Sequence, residues 1–372
     1  MGNMLQIGII GLGQSGKTTV FNALCSAHAQ VGDFSSAKSP NLAVIKVPDK
    51  RLERLIEIFQ PAKVTHAEIE FIDIAGMSSS PSHSGASHPR DDFRESAYIT
   101  AVRQANALLV VVRCFEDVRV PHPNGSVDPA RDIAAIEMEL IFADLVIVDK
   151  RLEKVKHMLR VRPATELKAE LTLLEKLKGQ LEAERPLREM SFVKEELGAM
   201  GSFGFMSLKP VLYLLNLGEN QIADAPTIEA RYFQKCGKNM GTGSLCGKIE
   251  MELAALGEDE RAEFLTDLGI DQLASAKVIR KSSELLGLIS FLTGSEKEVR
   301  AWPVPHGRSA WEAAGEIHSD IQRGFIKAEV ITFAELDKIG DWGEAKKHGK
   351  IRMEGKEYVI KDGDVILYRF NV

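Results

Sequence analysis

Eight consecutive residues carry the clearest chemistry in this chain. Gly11-Leu12-Gly13-Gln14-Ser15-Gly16-Lys17-Thr18 fits the pattern G-x-x-x-x-G-K-[ST], in which backbone amides turn inward around a polyphosphate. Lys17 would reach the β- and γ-phosphates, the Thr18 hydroxyl would ligate Mg2+, and Thr19 follows at the start of a helix whose positive end faces the anion. Asp73-Ile74-Ala75-Gly76 closes a second apolar segment. Downstream of such a loop, Asp73 would hold the magnesium shell and the Gly76 amide would meet the γ-phosphate.

A third apolar run ends at Asn216-Leu217-Gly218-Glu219, where related nucleotide-binding proteins carry N-K-x-D. The aspartate of that motif accepts two hydrogen bonds from guanine, and adenine offers no equivalent pair. The longer Glu219 and the apolar Leu217 remove the guanine-reading arrangement, a change that can alter discrimination by about 10⁴. These residues therefore point away from a guanine-specific site.

These residues need a scaffold that delivers them to one edge. Leu5 to Ile10, Ala67 to Ile74, Ala107 to Cys114 and Val211 to Leu215 read as short, nearly all-apolar strands, as expected of parallel strands buried on both faces. Alternation with helices predicts an α/β fold with a doubly wound sheet. Between Cys114 and Val211 the apolar spacing becomes helical, from Ala130 to Leu159. It is interrupted at Pro163 and resumes, with Thr165 as N-cap, from Leu167 to Leu181. That predicts an inserted α-helical hairpin. Lys297 to Pro303 reads as a strand and Trp311 to Arg323 as a helix. Tyr358 to Ile360 with Val365 to Phe370 reads as a hairpin around Asp362-Gly363. The expected division is 1–129 and 206–286 for the nucleotide-binding domain, 130–205 for the hairpin and 287–370 for a small α+β module. Ser78 to Pro89, rich in Ser, His, Gly and Pro, reads as a loop.

Composition narrows the class. The 372 residues are 44% apolar and 27% charged, with a net charge of −6, which suits two or three globular domains and not a general nucleic-acid binder. No apolar run approaches the roughly 18 residues of a membrane span, and no signal-like core follows the N-terminus. Cys25, Cys114, Cys236 and Cys246 are far apart with no C-x-x-C pair, which argues for reduced thiols and a cytoplasmic setting. Locally, Lys150, Arg151, Lys154, Lys156, Arg160 and Arg162 crowd the end of the first long helix. That cluster could neutralise RNA phosphates or simply complement the helix dipole.

Taken with Phe71 to Gly76, Val112-Arg113-Cys114-Phe115-Glu116, Lys297 to Trp302, Ala314 to His318 and Lys361 to Val365, the chain resembles the Obg-like ATPases, the YchF family, over nearly its whole length. The last stretches resemble that family's C-terminal TGS domain, a β-grasp module. The resemblance implies ATP preferred over GTP, slow magnesium-dependent hydrolysis and association with the large ribosomal subunit; a monomer is expected. It also implies that Cys246-Gly247 lines the base and that His122, on the loop after the R-C-F-E strand, positions the attacking water, since Met77 stands where many relatives place Gln. Several positions depart from the family. Gln14-Ser15 replace its usual Asn-Val, which removes the asparagine that holds a monovalent ion in potassium-activated relatives. The first switch offers Ser36 in place of threonine, and the family's glycine-rich second switch is replaced by Ser84 to Asp92. Two rival readings stand beside this one: a GTP-specific switch, and a ribosome- or RNA-binding module using nucleotide as a structural ligand.

Overall fold

The computed structural model describes residues 5–28, 41–74, 98–162, 164–233, 237, 239–267 and 272–371. Gly76, Ser36, Met77, Pro163, Cys236 and the Ser78 to Pro89 loop lie outside them. The first sheet has the order β2-β4-β1-β5-β6-β7. Its strands are β1 (Gln6–Ile10), β2 (Asn41–Lys46), β4 (Glu68–Asp73), β5 (Ala107–Arg113), β6 (Val211–Asn216) and β7 (Met240–Leu245). All neighbours are parallel except β2, which runs antiparallel to β4. Every residue of β5 and β6 is buried, because helices cover both faces and no side of these strands meets water.

Helix α1 (Lys17–His28) packs on one face of this sheet through Val20, Phe21 and Leu24. On the other face lies the start of α3 (Pro129–Val161), through Ile133, Ile136 and Leu140. Asp128 caps α3 by accepting from the Arg131 amide, and Pro129 occupies its first turn, where a missing N–H costs nothing. The helix then runs on past the sheet. At 33 residues it is about 50 Å long, and its second half pairs with α4 (Thr165–Glu182) over Val148, Leu152, Val155, Leu174, Leu177 and Leu181. The cap expected at Thr165 is displaced by one residue: Ala164 is the N-cap, without a side-chain bond, and Thr165 is the first helical residue.

The second sheet has the order β11-β10-β12-β8-β9-β3. Five of its strands come from the C-terminal part: β8 (Leu288–Gly294), β9 (Glu298–Pro305), β10 (Phe325–Thr332), β11 (Arg352–Glu354) and β12 (Asp364–Phe370). Two hairpins flank the last strand, which runs parallel to β8. The helix Ala310–Ile317 packs on one face, completing a β-grasp arrangement. The expected hairpin between Tyr358 to Ile360 and the last strand is not formed. Residues 358–360 instead bond the 308–310 segment, through Ala310 N to Tyr358 O and Ile360 N to Arg308 O. Asp364 turns the chain by accepting from the Lys361 amide and the Tyr358 hydroxyl. The helix expected from Trp311 to Arg323 breaks at His318, which is extended and caps a second short helix, Ser319–Arg323.

The sixth strand of this sheet is unexpected. β3 (Lys63–Thr65) comes from the N-terminal part and pairs in parallel with β9, Val64 opposite Val299. Helix α2 (Lys50–Phe59) precedes it and is clamped to the same module. Arg51 bonds both Asp49 and Asp362, at 2.7 and 2.8 Å, Arg54 bonds Asp337 at 2.6 Å, and the Phe59 and Trp342 rings lie 6.2 Å apart. One apolar cluster runs through both parts, from Phe21 and Leu24 by way of Leu52 and Leu55 to Val299, Leu336 and Val365.

Candidate nucleotide site

The parallel strands β1, β4, β5, β6 and β7 release the chain at one edge of the first sheet, the position at which open α/β sheets bind ligands. There the candidate residues converge. At Gly11, φ is +154° and a Cβ would lie 2.4 Å from the Val111 carbonyl. At Gly16, φ is +90° and a Cβ would lie 2.2 Å from the Asn216 amide nitrogen. Only glycine permits these turns and approaches. Gln14, exposed between half-buried Gly13 and buried Ser15, also takes a left-handed conformation, φ +60°.

Lys17 donates from Nζ to the carbonyls of Gly11 and Leu12, at 2.9 and 2.8 Å. Burial lowers its pKa from 10.5 to about 8, against the opposing pull of Asp73. Thr18 donates from Oγ1 to Asp73 Oδ2 at 3.0 Å, so the hydroxyl and carboxylate expected to serve the metal are in direct contact. Both are hard oxygen donors of the kind magnesium accepts beside phosphate oxygens. Among the described residues no cluster of three or more His, Cys, Asp and Glu could hold a metal unaided. Thr19 faces Gly247 at the start of the helix Gly247–Ala254: a Cβ on that glycine would lie 3.3 Å from the Thr19 methyl.

The residues expected at the base take different places. Asn216, 4% exposed, donates to the Ser15 carbonyl at 3.0 Å and accepts from the Gly247 amide at 3.1 Å. It fastens the end of β6 to the phosphate loop and to the loop after β7. Leu217, 2% exposed, belongs to the apolar cluster beneath the sheet, and Cys246 is buried as well. Glu219 alone is presented to solvent, in an ion pair with Lys248 at 2.6 Å.

The loop from 114 to 128 lies over the phosphate loop. Pro123 would be 3.8 Å from a Cβ on Gly13, and the Phe115 ring the same distance from one on Gly16. Arg113 braces it from below by donating to the carbonyls of Phe115 and Val120, with its guanidinium 4.4 Å from the centre of the Phe115 ring. His122 sits in this loop with its side chain 3% exposed. Its Nε2 is 2.8 Å from Asp132 Oδ2 in the first turns of α3, and its Nδ1 accepts from the Asn124 amide at 3.1 Å. Asp132 had no sequence signature for this role. An acid near a helix N-terminus is ordinary, and only the fold of the loop brings His122 to it. Arg113 was legible as part of a strand but not as the brace of the loop.

Comparison with known proteins places these features in a family. A family model described as a 50S ribosome-binding GTPase matches residues 6–156. A second, named for the C-terminal part of YchF GTPases and described as a protein of unknown function, matches residues 288–371. The chain is 39% identical to the ribosome-binding ATPase YchF of Bacillus subtilis, over 99% of this chain and 100% of that protein. It is 37% identical to that of Escherichia coli O157:H7, over 98% and 99%. The solved structure of the Schizosaccharomyces pombe YchF GTPase superposes with a TM-score of 0.84 at 29% identity, covering 99% of this chain and 98% of that one. End-to-end identity at this level, with family models matched over 6–156 and 288–371, means that the chain belongs to the YchF family.

Proposed function

We propose that this chain binds magnesium ATP at the edge of the first sheet, hydrolyses it slowly to ADP and phosphate, and associates with the large ribosomal subunit. The observation that carries the catalytic reading is the contact between Thr18 and Asp73 beside the Lys17 ammonium. A hydroxyl, a carboxylate and a cation meet where strand and phosphate loop join. In this reading Gly11, Gly13, Gln14, Ser15 and Gly16 cradle the phosphates through their amides, and Lys17 follows charge developing on the β–γ bridge. Thr18, Asp73 and Ser36 serve the magnesium ion, whose chemistry is charge neutralisation and alignment of the phosphates. Gly76 meets the γ-phosphate, and His122 positions the attacking water. Glu219 and Leu217 favour adenine, with Asn216, Cys246 and Gly247 shaping the wall behind the base.

The curated relatives are named ribosome-binding ATPases, which supports both the nucleotide and the partner. The hairpin tip supports contact with RNA. Arg151 and Lys156 pair across the hairpin with Glu170 and Glu175, whereas the exposed Lys150, Lys154, Arg160 and Arg162 have no ion pair among the described residues. The division into a split nucleotide domain, hairpin and TGS-like module, and the monomeric, cytoplasmic state, belong to the same proposal. Phosphate release from purified protein, lost in Lys17→Ala, tests it. ATP binding without release would favour the second reading, nucleotide as a structural ligand, which the engagement of both His122 ring nitrogens supports.

A further inference from the structure

We infer that Asp132 is the positioning residue for His122: it holds the imidazole as the Nε2–H tautomer, so that Nδ1 is the nitrogen that meets the attacking water. This rests on the catalytic reading of His122 given above.

The two bonds to the ring differ in kind. Nε2 is 2.8 Å from a carboxylate oxygen, and both side chains are 3% exposed. The other oxygen of Asp132 accepts from Nε and Nη2 of Arg131, at 3.1 and 2.9 Å. With Asn124 donating its N–H to Nδ1, the ring proton falls on Nε2, which donates to this carboxylate. That bond is buried and charge-assisted. Among the described residues Nδ1 accepts from the amide of Asn124 alone, two residues on, within a tight turn closed by Gly125 N to His122 O at 2.9 Å. This is a local bond between neutral groups and the weaker of the two. When one partner is exchanged for water, the Asn124 bond gives way and the Asp132 bond stays.

The turn is also suitably placed. Pro123, beside His122, packs over Gly13, which puts the 122–125 turn against the phosphate loop; this turn must rearrange to aim Nδ1 at the γ-phosphate while Asp132 stays in place on α3. The Nδ1 lone pair then accepts the proton of water. The water oxygen bonds to the γ-phosphorus, and the bond to the β–γ bridging oxygen breaks with its electron pair leaving on ADP. Asp132 stabilises the imidazolium that forms, as the buried carboxylate of a hydrolase triad does for its histidine.

Asp132→Asn tests this, because the amide keeps the shape and an acceptor oxygen but removes the charge. We expect kcat to fall ~30-fold with the Kd for ATP unchanged, and the effect to vanish in the His122→Ala background. Nitrogen-15 imidazole spectra should show the Nε2–H form of His122 in the unmutated protein and a mixture of tautomers in Asp132→Ala. An Asp132→Asn rate equal to or above wild type, an undiminished effect without His122, or an Nδ1–H tautomer would each overturn the inference. A wild-type rate in His122→Ala would instead remove the catalytic reading of His122, while the tautomer measurement would still report what Asp132 does to the ring.

Discussion

Asn216 donates its side-chain amide to the carbonyl of Ser15 across 201 residues of sequence, and the same side chain accepts from Gly247. The end of β6 is thereby fixed to the glycine-bordered loop after β1 and to the loop after β7. Both partners are buried, so truncation to Ala leaves a carbonyl and an amide without partners. Asn216→Ala should lower stability by about 1–3 kcal/mol. It should weaken ATP and GTP by similar factors, because it disturbs the loop rather than base recognition. Denaturant titration and calorimetry with both nucleotides check this; selective loss of one nucleotide would show that Asn216 reads the base directly.

Gln14 sits at φ +60°, a conformation that suits Gly or Asn better than a long side chain. Gln14→Gly should relieve about 1 kcal/mol of backbone strain, partly offset by the greater freedom of the unfolded chain. Gln14→Asn should stabilise by a few tenths to about 1 kcal/mol. Thermal unfolding of the ligand-free protein reads both, and a lowered Tm for Asn would contradict the strain.

Lys17 gives the site a pH dependence. Burial lowers its pKa from 10.5 to about 8. Below pH 8 the ammonium is charged in folded and unfolded chains alike. Between about pH 8 and 10.5 the unfolded chain binds the proton that the folded chain has released. This group therefore makes the ligand-free protein more stable as pH rises through that window. Phosphates pull the other way by favouring the charged form. ATP binding at pH 8 should take up about half a proton and weaken progressively above it. Calorimetry in buffers of different ionisation enthalpy measures the uptake; none at pH 8 would mean that Lys17 is already fully charged.

Base preference should lie in Glu219 and Leu217. The double substitution Leu217→Lys with Glu219→Asp restores the N-K-x-D pattern and shortens the carboxylate that pairs with Lys248. We expect GTP to tighten at least ~10-fold relative to ATP. An unchanged ratio would place the discrimination elsewhere. Because Leu217 is buried, Glu219→Asp alone provides the version that leaves the core intact.

At the hairpin tip, replacing Lys150, Lys154, Arg160 and Arg162 by Gln should weaken ribosome association and flatten its salt dependence. If each charge meets one phosphate of single-stranded RNA, the log–log slope falls by about 3. Sedimentation with ribosomes at several salt concentrations checks this. An unchanged slope would leave these residues as a solvated helix end.

Much of this site is readable without coordinates because its chemistry is local. A glycine-bordered loop between strand and helix declares itself in eight residues, and β5 and β6 in unbroken apolar runs. What escapes the sequence is contact across distance. Nothing in Asn216 announces a bond to Ser15, and nothing in Asp132 announces His122, because a polar side chain looks the same whether it faces water or a partner. The Tyr358 to Ile360 segment misleads for a related reason: Asp362-Gly363 is a good turn, but Asp364 and the 308–310 backbone offer its flanking strand other bonds. β3 has only three residues, too few for any periodicity.

That three-residue strand also decides what can be cut from this molecule. A fragment ending before β8 would carry Val64 and its neighbours as an open edge, with Phe59 deprived of Trp342 and Arg51 of Asp362. The complementary fragment would begin with the outer side of β9 unprotected. Either cut removes packing that the other half supplies, and in the whole chain the two should melt together in a single transition.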